Sequence, residues 1–264
     1  MPELPEVEVF VRNLQSIVGA TIQHAEILDA RLNLDGSLLD GSKIESVERR
    51  GKYIVIGLVD QGDLVVHLRM SGRLRRTRSE RESKYTRLIL HLDTRDCVYF
   101  VNPRRLGTVK HYNNGFSLNM GIEPLSPDFT SQNLKTLVSA SHSPIKTFLL
   151  NQSKIAGIGN IYASEALWRS GIAPTKAAKS LSTNEISRLH KDIISVLNDA
   201  IDGQGTTIGN SVSDYHPTAG EQGEFQNHLS VYGREFEPCE RCGTLIARMK
   251  QAGRSTYYCS ECQQ

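Results

Sequence analysis

Apolar residues recur at helical spacing near the start of the chain. Val7, Val11, Leu14 and Val18 fall on one face of a helix predicted over residues 5–18, with the period an amphipathic helix requires. Pro5 suits a first helical turn and Gly19 suits a stop. The period then shortens to two. Lys52–Leu58, Leu64–Met70, Tyr85–Leu92 and Cys97–Val101 are short β-branched or aromatic runs. Asp60-Gln61-Gly62-Asp63 and Asp93-Thr94-Arg95-Asp96 punctuate them as turns, which predicts an antiparallel sandwich or barrel. Cys97, inside such a run, reads as plain core. Past Ser126-Pro127-Asp128 the helical period returns, over 132–139, 144–151, 160–170 and 184–202. Residues 203–230 are rich in Gly, Ser, Thr, Asn and His without periodicity; loops of that length usually carry function or move. Residues 231–264 read as a separate small unit.

Composition changes this picture little, and charge changes it more. A chain of 264 residues has room for two domains, or for one with appendages. Its 39% hydrophobic and 23% charged residues are those of a globular protein. No apolar run reaches the ~18 residues a membrane span needs. The opening Met1-Pro2-Glu3 lacks the basic and apolar regions of a signal peptide. The expectation is a reducing cytoplasm, where clustered cysteines read as metal ligands before disulfides. A net charge of +2 argues nothing by itself. Residues 69–110, however, carry twelve Arg and Lys against four acids, a net +8 over that stretch. A polyanionic partner accounts for this excess, since Arg and Lys bind phosphates and release counterions. A solvated hairpin surface accounts for it equally well.

Cys239-x-x-Cys242 and Cys259-x-x-Cys262 enclose sixteen residues. Two such knuckles supply the four thiolates of a tetrahedral zinc site. Four cysteines leave no open position, so the expected cofactor is one structural zinc. Between the knuckles lies an apparent hairpin: Thr244–Met249, a turn at Gln251-Ala252-Gly253, then Arg254–Tyr258. So small a unit cannot bury enough core to fold without its metal.

Met1 precedes a small residue, so its removal would expose the secondary amine of Pro2. An α-amino group titrates near ~8, against ~10.4 for lysine, and more of it is free base near neutrality. Attack of such an amine on the anomeric carbon of a sugar gives a charged iminium, an electron sink for elimination. Glu3 and Glu6 stand beside it as proton carriers. In isolation the same residues are an ordinary helix start, with acids favoured in the first turn.

The combination decides between these readings. Pro2-Glu3-Leu4-Pro5-Glu6-Val7-Glu8 resembles the opening signature of formamidopyrimidine-DNA glycosylases. The resemblance continues in order through Arg50-Gly51-Lys52-Tyr53, His67-Leu68-Arg69-Met70-Ser71-Gly72 and Asn102-Pro103-Arg104-Arg105-Leu106-Gly107. It extends through Gly157-Ile158-Gly159-Asn160-Ile161-Tyr162-Ala163-Ser164-Glu165 and Val231-Tyr232-Gly233-Arg234 to the cysteine knuckles. It implies an α+β fold: an N-terminal antiparallel β-sandwich with flanking helices, a helix–two-turns–helix domain, and a C-terminal zinc ribbon. The corresponding boundaries are 1–125, 126–230 and 231–264. DNA would lie in the cleft between domains.

The resemblance also implies roles. Pro2 would be the Schiff-base nucleophile, Glu3 the general acid, Glu6 a member of the same acidic cluster, and Lys52 a phosphate contact that assists elimination. Arg254 would clamp phosphate. His67, Lys84, Lys146, Lys154 and Asn160 would bind DNA, with Asn160 as either a polar partner of phosphate or a helix cap. Base excision takes the damaged nucleotide out of the stack, and Met70 and Arg104 would fill the void. Leu106 stands where the family usually has a phenylalanine wedge, and Ser141 stands at a usually basic position. The activity implied is that of a bifunctional glycosylase and abasic-site lyase on oxidised purines in damaged double-stranded DNA. It would work as a cytoplasmic monomer with one zinc and no membrane. An endonuclease VIII-like enzyme for oxidised pyrimidines is the alternative, against which Leu4-Pro5 speaks. A non-catalytic zinc-ribbon DNA-binding protein would need none of Pro2, Glu3 and Lys52.

Overall fold

A computed structural model describes residues 2–78, 83–207 and 223–264. Arg81 and the two acids beside it, and residues 208–222 of the long polar loop, lie outside the described residues. The chain divides into two compact units. One is Met1–Leu118 with Gly203–Glu224, and the other is Asn119–Asp202 with Phe225–Gln264. This differs from a division at 125 and 230. Residues 119–125 pack with the helical unit, the described residues 203–207 and 223–224 return to the first unit, and the ribbon belongs with the helices.

The first unit begins with helix α1, Leu4–Leu14. Glu3 caps it: its carboxylate accepts the Glu6 N–H while the Glu6 side chain accepts the Glu3 N–H, a capping box. Leu4, Val7, Phe10, Val11 and Leu14 are buried. The helix stops short of residue 18 because a 3₁₀ turn, Gln15–Ile17, swings Ile17 into the core and leaves Val18 41% exposed.

Eight strands follow: β1 Ile22–Ile27, β2 Ile44–Arg50, β3 Tyr53–Leu58, β4 Gly62–His67, β5 Arg73–Thr77, β6 Thr86–Leu92, β7 Cys97–Val101 and β8 Thr108–Tyr112. They form two antiparallel sheets, ordered β1-β6-β7-β5 and β2-β3-β4-β8. Their inner faces share one core with α1, including Ile22, Ile54, Ile56, Leu64, Val66, Leu88, Leu90 and Phe100. This is the expected sandwich. Cys97 is not plain core. It is half-buried on the outer face beside Tyr99 and Val101, with its Sγ 3.4 Å from Nδ1 of His91.

In the second unit the helices are α2 Ser131–Ser139, α3 Ile145–Leu149, α4 Asn160–Ser170 and α5 Thr183–Asp202. Thr130 caps α2 through the Asn133 N–H. Gly121 is needed where the chain passes close to Lys154: a Cβ there would fall 2.1 Å from the Lys154 carbonyl carbon. The ribbon hairpin pairs β9 Ala247–Gln251 with β10 Arg254–Tyr258. Its tip is the two-residue turn Ala252-Gly253, both at positive φ, the geometry that matches strand twist. Trp168 of α4 joins Val231, Cys239, Ile246 and Cys259 in one buried cluster. The Arg241 guanidinium stacks on Trp168 at 3.9 Å and donates to the Trp168 and Arg169 carbonyls. The ribbon thereby adds charged donors to the last carbonyls of α4. Among the described residues no helix is long and apolar enough to cross a membrane.

Candidate catalytic and nucleic-acid sites

In the first unit Pro2 is buried directly ahead of the α1 cap. Glu3 and Glu6 beside it are 3% and 1% exposed. Both Glu6 oxygens are engaged: Oε2 accepts the Glu3 N–H at 2.7 Å and Oε1 accepts the Thr206 N–H at 2.9 Å. Glu6 therefore ties the helix start to residues 203–207. Glu3, whose carboxylate caps the helix through the Glu6 N–H, is the carboxylate adjacent to the proline in sequence. Thr206 was reachable from sequence only as part of a long polar loop.

Lys52 lies in the turn between β2 and β3, where Gly51 holds φ +57°, and is 8% exposed. His67 ends β4, with its ring edge-on to Tyr53 at 4.5 Å. Burial, then the charges of Arg69 and Lys52, lower its pKa to about 4. Its Nδ1 accepts the Arg69 N–H at 3.0 Å, so the neutral ring carries its proton on Nε2 and offers a donor there.

Met70, Arg104 and Leu106 lie in two surface turns. Met70 is 42% exposed and Leu106 53% exposed, so Met70 is not core. The Arg104 N–H donates to Ser71 Oγ at 3.2 Å, which stitches the two turns together. Asn102 Nδ2 donates to the Gly107 carbonyl and closes the second turn. Arg69 and Arg105 stand at φ +54° and +55°, a conformation uncommon for side chains with a Cβ and associated with sites of function. Lys84 is exposed, its ammonium 5.2 Å over the Tyr85 ring. Part of the basic stretch is neutralised internally: Arg76 and Arg78 pair with Asp96, and Arg87 with Asp29.

In the second unit Lys154 is exposed just before Gly157, which holds φ +85°. Gly159, not Asn160, is the cap of α4, and no side chain caps that end. A helix start without a side-chain cap presents N–H groups and positive dipole to an anion. Asn160 Nδ2 donates to the Ser255 carbonyl at 2.9 Å. Lys146, only 1% exposed, donates to the same carbonyl at 3.1 Å and to Thr256 Oγ1 at 2.8 Å. Its ammonium points into the ribbon hairpin rather than to the surface. Arg254, one residue earlier, is exposed.

Glu165 closes the Gly157–Glu165 block, where the motif alone names no role for it. Glu165 is fully buried and accepts the N–H groups of Ser230, Val231 and Tyr232 at 2.8–3.0 Å. Burial pushes its pKa up, and those three donors pull it down. It joins two of the sequence blocks read separately above.

The Sγ atoms of Cys239, Cys242, Cys259 and Cys262 all lie within 4.8 Å of one another. The pairs Cys239–Cys262 and Cys242–Cys259 are 3.9 and 3.4 Å apart. Tetrahedral zinc with bonds of about 2.3 Å needs sulfur–sulfur edges of about 3.8 Å. The donor set fits one structural zinc.

Three family models match the chain. The formamidopyrimidine-DNA glycosylase N-terminal domain matches residues 1–109, the H2TH domain of the same glycosylases matches 120–211, and a zinc finger found in FPG and IleRS matches 236–264. The formamidopyrimidine-DNA glycosylase of Lactiplantibacillus plantarum is 42% identical, with 98% of each chain covered. That of Syntrophomonas wolfei is also 42% identical, over the whole of both chains. The crystal structure of MutM (Fpg) from Thermus thermophilus aligns with TM-score 0.89 at 36% identity, covering 99% of this chain and 98% of that one. A complex of Lactococcus lactis Fpg with abasic-site DNA aligns with TM-score 0.87 at 35% identity, covering 99% of both. On this agreement of sequence blocks, sandwich, helices and ribbon, the chain belongs to the formamidopyrimidine-DNA glycosylase family.

Proposed function

We propose that this protein removes oxidised purines, 8-oxoguanine and formamidopyrimidines, from double-stranded DNA and then cleaves the strand by β,δ-elimination. The observation that carries this reading is the setting of Pro2, next to the buried Glu3 at the start of a helix. In the reaction the Pro2 nitrogen bonds to C1′ of the damaged nucleotide, and the base leaves with the C1′–N bond pair and a proton. Glu3 protonates the ring oxygen as the sugar opens, giving the iminium. Loss of the C2′ proton then expels the 3′ phosphate, and a second elimination expels the 5′ phosphate. Water releases Pro2. Lys52 faces the phosphate beside the lesion, while Met70, Arg104 and Leu106 occupy the gap left by the extruded base. His67 Nε2, Lys154, Asn160 and Arg254 hold phosphates, and Lys84 adds a surface cation. The solved Lactococcus relatives are complexes with abasic-site and Fapy-dG containing DNA, which supports the substrate class.

Borohydride trapping on abasic-site duplex tests the nucleophile. The mature protein is expected to begin at Pro2 and to cross-link, and Pro2→Gly to lose most of both excision and trapping. Fully active protein that retains Met1 would sink the mechanism. Faster release of thymine glycol than of 8-oxoguanine would move the substrate to oxidised pyrimidines.

A further inference from the structure

We propose that Lys146 is a positioning residue: it holds the tip of the ribbon hairpin so that Arg254 faces the phosphate. The inference rests on the reading of Arg254 as a phosphate clamp.

Arg254 begins β10, immediately after the Ala252-Gly253 turn and opposite Gln251. A two-stranded hairpin has little rigidity of its own, and a long arginine side chain at its tip inherits that freedom. The structure removes it at the next peptide. Two donors from outside the hairpin converge on the Ser255 carbonyl, Lys146 Nζ from α3 and Asn160 Nδ2 from the start of α4. Lys146 also donates to Thr256 Oγ1, which in turn donates to Gln251 Oε1 across the hairpin. Gln251 Nε2 donates to the Pro174 carbonyl. Both strands are thus pinned to the helical unit within two residues of the tip.

Burial argues for the same role. An ammonium is costly to bury, and an apolar side chain of similar volume would fill the space at lower cost. What the lysine supplies and a methionine lacks is directed donors. At 1% exposure that ammonium has no path to a phosphate without repacking. Its effect on DNA must therefore pass through the peptide it holds.

The test is a double-mutant cycle on the zinc-loaded full chain, read as affinity for a duplex carrying a tetrahydrofuran abasic analogue, together with zinc content. Lys146→Met is expected to keep its zinc and to weaken binding about tenfold, the scale of one lost phosphate contact. The double variant Lys146→Met/Arg254→Ala is expected to bind no worse than Arg254→Ala alone, because the loss runs through one residue. Combined with Lys154→Ala, the Lys146→Met loss should instead multiply. Thr256→Val, nearly isosteric, is expected to give a smaller loss that Arg254→Ala also absorbs. Multiplying losses for Lys146 and Arg254 would assign Lys146 a contact of its own and overturn the proposal. Zinc loss in Lys146→Met would overturn it too, by making the lysine a general prop of the ribbon. An Arg254→Ala chain that binds like the wild type would remove the phosphate clamp itself.

Discussion

The His67 ring is neutral in the folded chain because burial and two neighbouring cations disfavour its charged form. In the unfolded chain it titrates near 6.5, and in the fold near 4. Between those values the unfolded chain binds the extra proton, so stability falls as pH drops through that window. It is unaffected above the window and levels off below it. The full loss is on the order of 3 kcal/mol. Urea midpoints measured from pH 7 to pH 4 should therefore fall less steeply for His67→Gln; parallel slopes would refute this. Single residues also mark where sequence reading stopped. Lys146 looked like any other cation in a DNA-binding protein, since nothing in the local pattern reveals a 1% exposed ammonium. Glu165 is a similar case, because its three donors are more than sixty positions away. Burial and long-range partners are tertiary facts, and no local period encodes them.

Among the strands, legibility followed position in the sheet. The four runs readable from sequence, β3, β4, β6 and β7, are the central strands. The four that were not, β1, β2, β5 and β8, are the edges. Central strands have more of their surface covered and read as apolar runs. Edges such as Ile44–Arg50 (IESVERR) and Arg73–Thr77 (RLRRT) are charged, which also deters pairing with other chains. The paired turns bearing Met70 and Leu106 were legible only as motif, because their stitching through Ser71 Oγ is a side-chain contact. They carry the next prediction. Leu106 is 53% exposed and offers no aromatic face to a neighbouring base. Leu106→Phe is expected to speed 8-oxoguanine excision from intact duplex several-fold, on the order of one stacking contact. Cleavage at a preformed abasic site should change little, since no base remains to extrude. Single-turnover rates on the two substrates decide it, and an equal gain on both would remove the wedge argument.

At the scale of the molecule, the first unit is assembled from two stretches separated by most of the second. A chain cut at residue 118 would lose the Thr206 N–H that holds Glu6. The cysteine spacing announced the ribbon, but its anchorage on α4 through Trp168 and Arg241 did not show in sequence. Because the metal organises that shared cluster, Cys242→Ser or exhaustive chelation is expected to abolish DNA affinity. Undiminished binding by protein verified free of zinc would contradict this. The same packing has an optical consequence. The chain holds one tryptophan, Trp168, and it is buried against the cysteine Cys239. Intrinsic fluorescence excited at the indole band therefore comes from a single place, beside the ion, under a stacked guanidinium. Release of zinc should redden and dim that emission as water reaches the ring, giving a label-free gauge of ribbon integrity to which the β-sandwich contributes no tryptophan signal.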